Sequence, residues 1–262
     1  MTASGCRKTP LTQHQIPGNL LVELKILVAC EFSGAVREAF RALGHDAWSC
    51  DLLPADDGSL FHYQQDVLPL LPLGWDMLIA FPPCTYLCSS GLHWNKRRPE
   101  RAKQTEAALE FVRALLDAPI PRIALENPVG CISTRIRKPD CVIQPWQHGH
   151  PESKTTCLWL KNLPALVPSN VLALPSSGRW DNMTPSGQNR LGPSPDRWKL
   201  RSKTYEGIAK AMANTWGGPG ATSPLVAPVP LNEPGPGSPG PGSPGPGVPP
   251  EPEQLSLFDL KG

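Results

Sequence analysis

The sequence predicts an α/β fold built on a doubly wound, mostly parallel sheet, and three observations predict it. Short apolar runs at residues 24–29, 76–81 and 121–125 have the length and composition of strands buried on both faces. Segments with helical spacing of apolar residues separate them, as crossover connections between parallel strands require. Each run also ends in a polar cluster, and open α/β sheets bind ligands at the carboxyl ends of their strands.

The elements follow in chain order. Run 24–29 (LKILVA) is the first strand, ending at Cys30-Glu31-Phe32-Ser33-Gly34. Residues 36–43 then carry apolar side chains at helical spacing, and Gly44 closes that helix. A second strand covers 47–50 and finishes at Asp51, completing a β-loop-α-β unit. After a loop holding Asp66 and Val67, run 76–81 (DMLIAF) is a buried strand that ends at Pro82-Pro83-Cys84. The clearest helix spans 100–116, with Ala107, Ala108, Phe111, Ala114 and Leu115 on one face. A strand at 121–125 leads into Glu126-Asn127-Pro128; a strand at 156–160 and a helix at 205–212 complete the set.

Composition divides the 262 residues unevenly. From Gly217 onward Pro, Gly and Ser dominate, leaving about 210 residues for one domain with a real core. The formal charge is only +2, but the stretch from Gly217 carries Glu233, Glu251, Glu253 and Asp259 against Lys261. The remainder therefore holds a net +5, compatible with a polyanionic partner. In the segment 234–247 glycine spacing alternates between two and three residues, which excludes collagen and predicts a flexible to semi-extended linker. The expected organisation is a flexible leader at 1–23, a catalytic domain at 24–216, a linker at 217–252 and a terminal peptide at 253–262.

Eight cysteines raise the question of metal or disulfides. No C-x-x-C occurs, so no structural metal is expected and reduced thiols are. The first twenty residues lack an apolar stretch after Arg7 and Lys8, and no run reaches membrane-spanning length. A cytoplasmic monomer is expected.

Two polar clusters carry the chemistry. Pro82 and Pro83 fix the backbone before Cys84 and remove two amide donors. A free cysteine is ordinarily a small buried hydrophobe, but this one stands at a strand end facing the expected crevice. Glu126, directly after an apolar strand, faces the same crevice and can be held protonated there. Alone, Glu126-Asn127-Pro128 reads as a solvated turn. About forty residues after a Pro-Pro-Cys strand end it is a stronger signal.

The order and spacing of these clusters resemble the cytosine-5 DNA methyltransferase family, with its Pro-Cys nucleophile loop and Glu-Asn-Val loop on adjacent strands. The likeness runs from Lys25 to Trp216. It implies a Rossmann-like S-adenosylmethionine (SAM) domain with Cys84 as nucleophile, Glu126 as partner acid and SAM as cofactor. Phe32, Ser33 and Gly34 resemble the first SAM loop, F-x-G-x-G, with Val36 where the second glycine falls. Asp51 stands where an acid binds the ribose hydroxyls, with Leu52 beside it, and Asp66-Val67 resembles the adenine-contacting pair. Pro83 also belongs to the cofactor set. Gly149, Pro151 and Lys154 lie where the family has G-x-P-Q-R-x-R, so Lys154 is the catalytic cation that the resemblance implies. Residues 202–212 resemble the last motif, with Thr204 near its usual asparagine.

The implied partner is double-stranded DNA. Arg97, Arg98 and Arg101 follow the Cys84 loop and Arg135 and Arg137 follow the Glu126 loop, both positioned to meet phosphates. Trp94, Trp180 and Trp198 are candidates for stacking, though such residues more often serve packing. The family's target-recognition region would fall at 164–200, too short for a long sequence-reading domain, so short or relaxed specificity is expected. Finally, Gln254, Leu255, Leu257 and Phe258 resemble the bacterial sliding-clamp-binding peptide Q-L-x-L-F. Two alternatives stay open: C5 modification of another pyrimidine, in RNA or a free nucleotide, and a non-catalytic DNA- or clamp-binding adaptor.

Overall fold

The computed structural model describes residues 22–219 except 187, 188, 193 and 196. The leader up to residue 21 and the chain from residue 220, including Gln254, Leu255, Leu257 and Phe258, lie outside the described residues.

Seven strands form a single sheet: β1 (Lys25–Ala29), β2 (Asp46–Asp51), β3 (His62–Gln64), β4 (Met77–Ala80), β5 (Arg122–Pro128), β6 (Cys141–Ile143) and β7 (Thr156–Lys161). Their order is β3-β2-β1-β4-β5-β7-β6. The β1–β2, β1–β4, β2–β3 and β4–β5 pairs are parallel, whereas β7 is antiparallel to both its neighbours. This is a doubly wound, Rossmann-like sheet, as the sequence predicts. The chain runs from β1 toward one edge through β2 and β3, then returns to β4 on the other side of β1. The carboxyl ends of β1 and β4 thus flank the switch point at which such sheets bind ligands.

Both faces are covered, which explains the uninterrupted apolar runs. Ile26 and Val28 face Val36 and Phe40 of α1 (Ala35–Arg41), and Ile208, Met212 and Trp216 of α6 (Glu206–Gly217). Leu27, Ala29, Leu78 and Ala80 face the opposite way, toward Leu109, Val112 and Leu115 of α3 (Pro99–Leu116). The short α2 (Ser89–Leu92), α4 (Ile132–Arg135) and α5 (Arg197–Ser202) sit in the loops around the carboxyl edge.

Two strands carry no sequence signature. β3 and β6 are three-residue strands at the two sheet edges, too short to show an apolar run, and their pairing is supplied by β2 and β7. β5 also runs three residues beyond the apolar stretch. Its partner β4 stops at the Ala80–Leu125 register, but β7 pairs Glu126 with Leu158, Asn127 with Cys157 and Pro128 with Thr156. Glu126 therefore stands in a strand rather than in a turn. Between residues 164 and 196 the described chain forms turns and isolated bridges such as Met183–Asn189. Among the described residues no helix is long and apolar enough to cross a membrane.

Candidate active site

The loop after β4 is fastened on three sides. Asn127, fully buried in β5, donates from Nδ2 to the carbonyl of Pro82 at 2.8 Å. The amides of Leu87 and Cys88 return to the Cys84 carbonyl at 3.1 and 2.9 Å, closing a tight turn. On α3, Arg101 donates to the carbonyls of Thr85 (2.7 Å) and Gly91 (3.2 Å) and lies over the Tyr86 ring, while Thr105 donates to the Tyr86 carbonyl. The β5 loop passes close by: Cys131 donates its amide to Leu87 and Ser89 to Val129. A Cβ at Gly130 would overlap the Leu87 carbonyl oxygen, so this approach requires glycine.

Cys84 is left accessible at the mouth of the crevice. Partial desolvation, and then the nearby Glu126 and Cys88, push its thiol above the ordinary range; Lys154 and Arg201 act in the opposite direction. Glu126 is raised as well, mainly by burial, against the opposing effects of Lys154 and the Thr156 hydroxyl. Both shifts act toward the protonated forms, and the charges of nearby cations oppose them. Lys154 Nζ donates to the carbonyl of Arg201 at 3.0 Å and lies 5.9 Å from the Tyr205 ring centre. Tyr205, at the start of α6, donates to Glu152 Oε2 at 2.5 Å, and burial and this bond raise its hydroxyl.

A second cleft opens between the ends of β1 and β2, lined by Cys30, Cys50, Asp51, Leu52, Gln65, Val67 and Pro83. Its lining combines a carboxylate at the end of the second strand with the apolar side chains of Leu52, Val67 and Pro83. The β1–α1 turn is built for close approach. Gly34 has φ +72°, and a Cβ there would run into the Arg37 guanidinium. Glu31, buried below it, accepts the amides of Val36 (2.7 Å) and Arg37 (3.2 Å), taking the role of a helix cap from outside the cap position. Desolvation raises its carboxyl to about 7. Val36 packs in the core and is not among the residues lining the cleft.

Of the residues expected at the cofactor, Asp51, Leu52, Val67 and Pro83 line this cleft. Asp66 accepts the Leu68 amide at 3.0 Å, just beyond it. Phe32 is buried with its ring 6.2 Å from that of Trp198 on α5, and Ser33 accepts the Ala35 amide. Thr204 is half-buried immediately before Tyr205. The arginines expected to meet DNA divide. Arg97 and Arg98 lie over the ring of Trp94, which is itself exposed. Arg101 braces the Cys84 loop, Arg135 pairs with Glu106, and Arg137 pairs with Asp140 while donating to the Leu160 carbonyl. Arg201, Tyr205, Thr156, Cys30 and Gln65 were not anticipated. Cys30 follows the β1 run directly and could have been read as a cleft residue, but Arg201 has no sequence signal. Among the described residues no group of three or more His, Cys, Asp or Glu side chains is placed to hold a metal ion.

No protein-family model matches the sequence, and no curated protein matches it significantly. Among solved structures, the crystal structure of S. pombe Dnmt2 methyltransferase is similar, at 16% identity and a TM-score of 0.39. The match covers 55% of this chain and 51% of that one, so it spans about half of either. The fold assignment rests on the strand order and directions described above.

Proposed function

We propose that the protein is a SAM-dependent cytosine-5 methyltransferase acting on double-stranded DNA, with Cys84 as nucleophile. The observation that carries this reading is the meeting of Cys84, Glu126 and Lys154 at neighbouring strand ends, beside the Asp51 cleft. Carbon C5 of cytosine is too weak a nucleophile to take a methyl group unaided. Addition of the Cys84 thiolate at C6 makes C5 carbanionic. Glu126, biased toward its protonated form, donates to N3 and draws off the charge that builds in the ring. The Lys154 ammonium offsets the cost of the thiolate. The cofactor, when bound, supplies the electrophilic methyl group. Loss of the C5 proton to a base and departure of the Cys84 sulfur from C6 then restore the aromatic ring and the thiolate. A cytosine within a duplex must leave the stack to reach Cys84.

The test uses duplex DNA carrying 5-fluorocytosine, in which fluorine blocks the final elimination. A SAM-dependent covalent adduct that is lost in Cys84→Ala is expected. Adduct on RNA alone would move the substrate to RNA; no adduct on DNA, RNA or nucleotide would favour a non-catalytic adaptor.

Two extensions belong to the same reading. The short 164–200 segment supports a recognition site of few base pairs, which bisulfite sequencing of modified DNA checks; a site of five or more base pairs is incompatible with it. The Gln254, Leu255, Leu257 and Phe258 anchors, at the end of a Pro/Gly-rich stretch, support docking to a bacterial sliding clamp. Unchanged clamp capture after deletion of residues 254–258 would remove that role.

A further inference from the structure

The catalytic crevice contains a second cation that comes from a distant part of the chain. Arg201 lies on α5, and its backbone carbonyl holds the Lys154 ammonium at 3.0 Å. Its side chain is exposed, and among the described residues the guanidinium has no hydrogen-bond or ion-pair partner. Most neighbouring charges are already engaged: Lys199 and Lys203 both pair with Asp56, at 2.7 and 2.8 Å. Arg201 is close enough to Cys84 and Tyr205 to act on both electrostatically. It also lines, with Lys154, Arg190, Lys203 and Tyr205, a wide cleft whose acidic members are Glu152 and Asp181.

We propose that Arg201 binds the phosphodiester next to the target nucleotide, anchoring the strand while its base enters the Cys84–Glu126 site. This rests on the nucleic-acid reading above. A base that reaches Cys84 must bring its backbone to the mouth of the crevice, and Arg201, exposed and with its carbonyl on Lys154, offers that backbone a cation. A guanidinium with unengaged N–H groups offers a planar fork that matches two phosphate oxygens. Lys154 cannot take this role equally, because one of its three donors is spent on the Arg201 carbonyl and its charge lies over the Tyr205 ring. The placement of α5 makes the site a tertiary one. Trp198 packs on Phe32 of the β1 loop, and Lys199 and Lys203 reach Asp56 after β2.

The experiment measures binding of a labelled oligonucleotide duplex to the full-length protein across a salt series, for wild type, Arg201→Ala, Arg201→Gln and Arg201→Lys. Thermal melts and S-adenosylhomocysteine binding monitor the fold independently of activity. The expected result is roughly tenfold weaker binding in the Ala and Gln variants, with the log–log salt slope reduced by about 0.9, the contribution of one duplex phosphate. Arg201→Lys keeps the slope, and KM for DNA rises more than kcat falls. An unchanged slope in folded Ala and Gln variants would overturn the proposal. So would a change confined to kcat and its pH profile, since that would place the guanidinium on Cys84 rather than on the backbone. If wild type itself shows no salt-dependent binding, the nucleic-acid reading fails and this inference fails with it.

Discussion

Asn127 Nδ2 donates to the Pro82 carbonyl at 2.8 Å, so the residue following the candidate acid holds the loop that carries the candidate nucleophile. Two strand ends are thereby set in one register. Asn127→Ala removes a buried donor and leaves the Pro82 carbonyl unpaired, which costs about 1–3 kcal/mol of stability. Formation of the 5-fluorocytosine adduct should slow more than cofactor binding weakens, because Pro83 is the one residue of that loop lining the Asp51 cleft. Denaturant titration and adduct kinetics check both. Equal losses in the two would show that the hydrogen bond serves the whole fold rather than the loop.

The proposed mechanism pairs a deprotonated Cys84 with a protonated Glu126, and both groups are raised. The required state is ionised at Cys84 and neutral at Glu126, so activity should pass through a maximum with pH. Lys154 opposes both shifts, so Lys154→Met should move the rising limb to higher pH. At neutral pH its rate should drop on the order of ten- to a hundredfold, equivalent to roughly 1.4–3 kcal/mol. A single-turnover pH profile of wild type and variant decides it; a vertical drop without displacement of the limb would remove Lys154 from thiolate stabilisation.

Glu31 gives a stability prediction with a definite sign. Its folded carboxyl titrates at about 7 against an ordinary 4.5, so the folded state binds the proton more tightly than the unfolded chain. Stability from this group is complete below pH 4.5 and declines as pH rises toward 7, by roughly 3 kcal/mol if the full shift is expressed. Glu31→Gln, which cannot ionise, should flatten that decline. Urea melts at pH 5 and pH 7.5 measure it, and an identical decline in the variant would assign the slope to other groups.

Asp56 ties α5 to the β1 and β2 loops through Lys199 and Lys203, whose hydrogen bonds hold its carboxyl below the usual range. Asp56→Asn should loosen α5 from the β1 loop. Because both pairs are partly solvated, the effect is bounded at about 1 kcal/mol per pair, a several-fold rise in the Kd for S-adenosylhomocysteine at low salt that shrinks at high salt. Isothermal titration at two ionic strengths reads it. Equal affinity under both conditions would detach α5 from cofactor binding.

The sequence by itself determined the sheet, because strands covered on both faces must be apolar throughout: the runs at β1, β4 and β5 could be read directly, as could their polar ends at Gly34, Cys84 and Glu126. Local chemistry was sufficient there, since Pro82-Pro83 and the left-handed Gly34 are constraints within the chain. Only the tertiary structure decided the rest. β3 and β6 exist because β2 and β7 offer them open edges, and β7 keeps Glu126 in a strand by pairing antiparallel beside it. Arg135 and Arg137, basic by sequence, are engaged by Glu106 and Asp140, which no spacing rule connects to nucleic acid. The helix α5, which carries Arg201, is held over the β1 loop by the contacts of Trp198 with Phe32 and of Lys199 with Asp56. Periodicity reports which face of an element is buried. Which distant charges share a crevice depends on how the loops pack, and no local pattern records it.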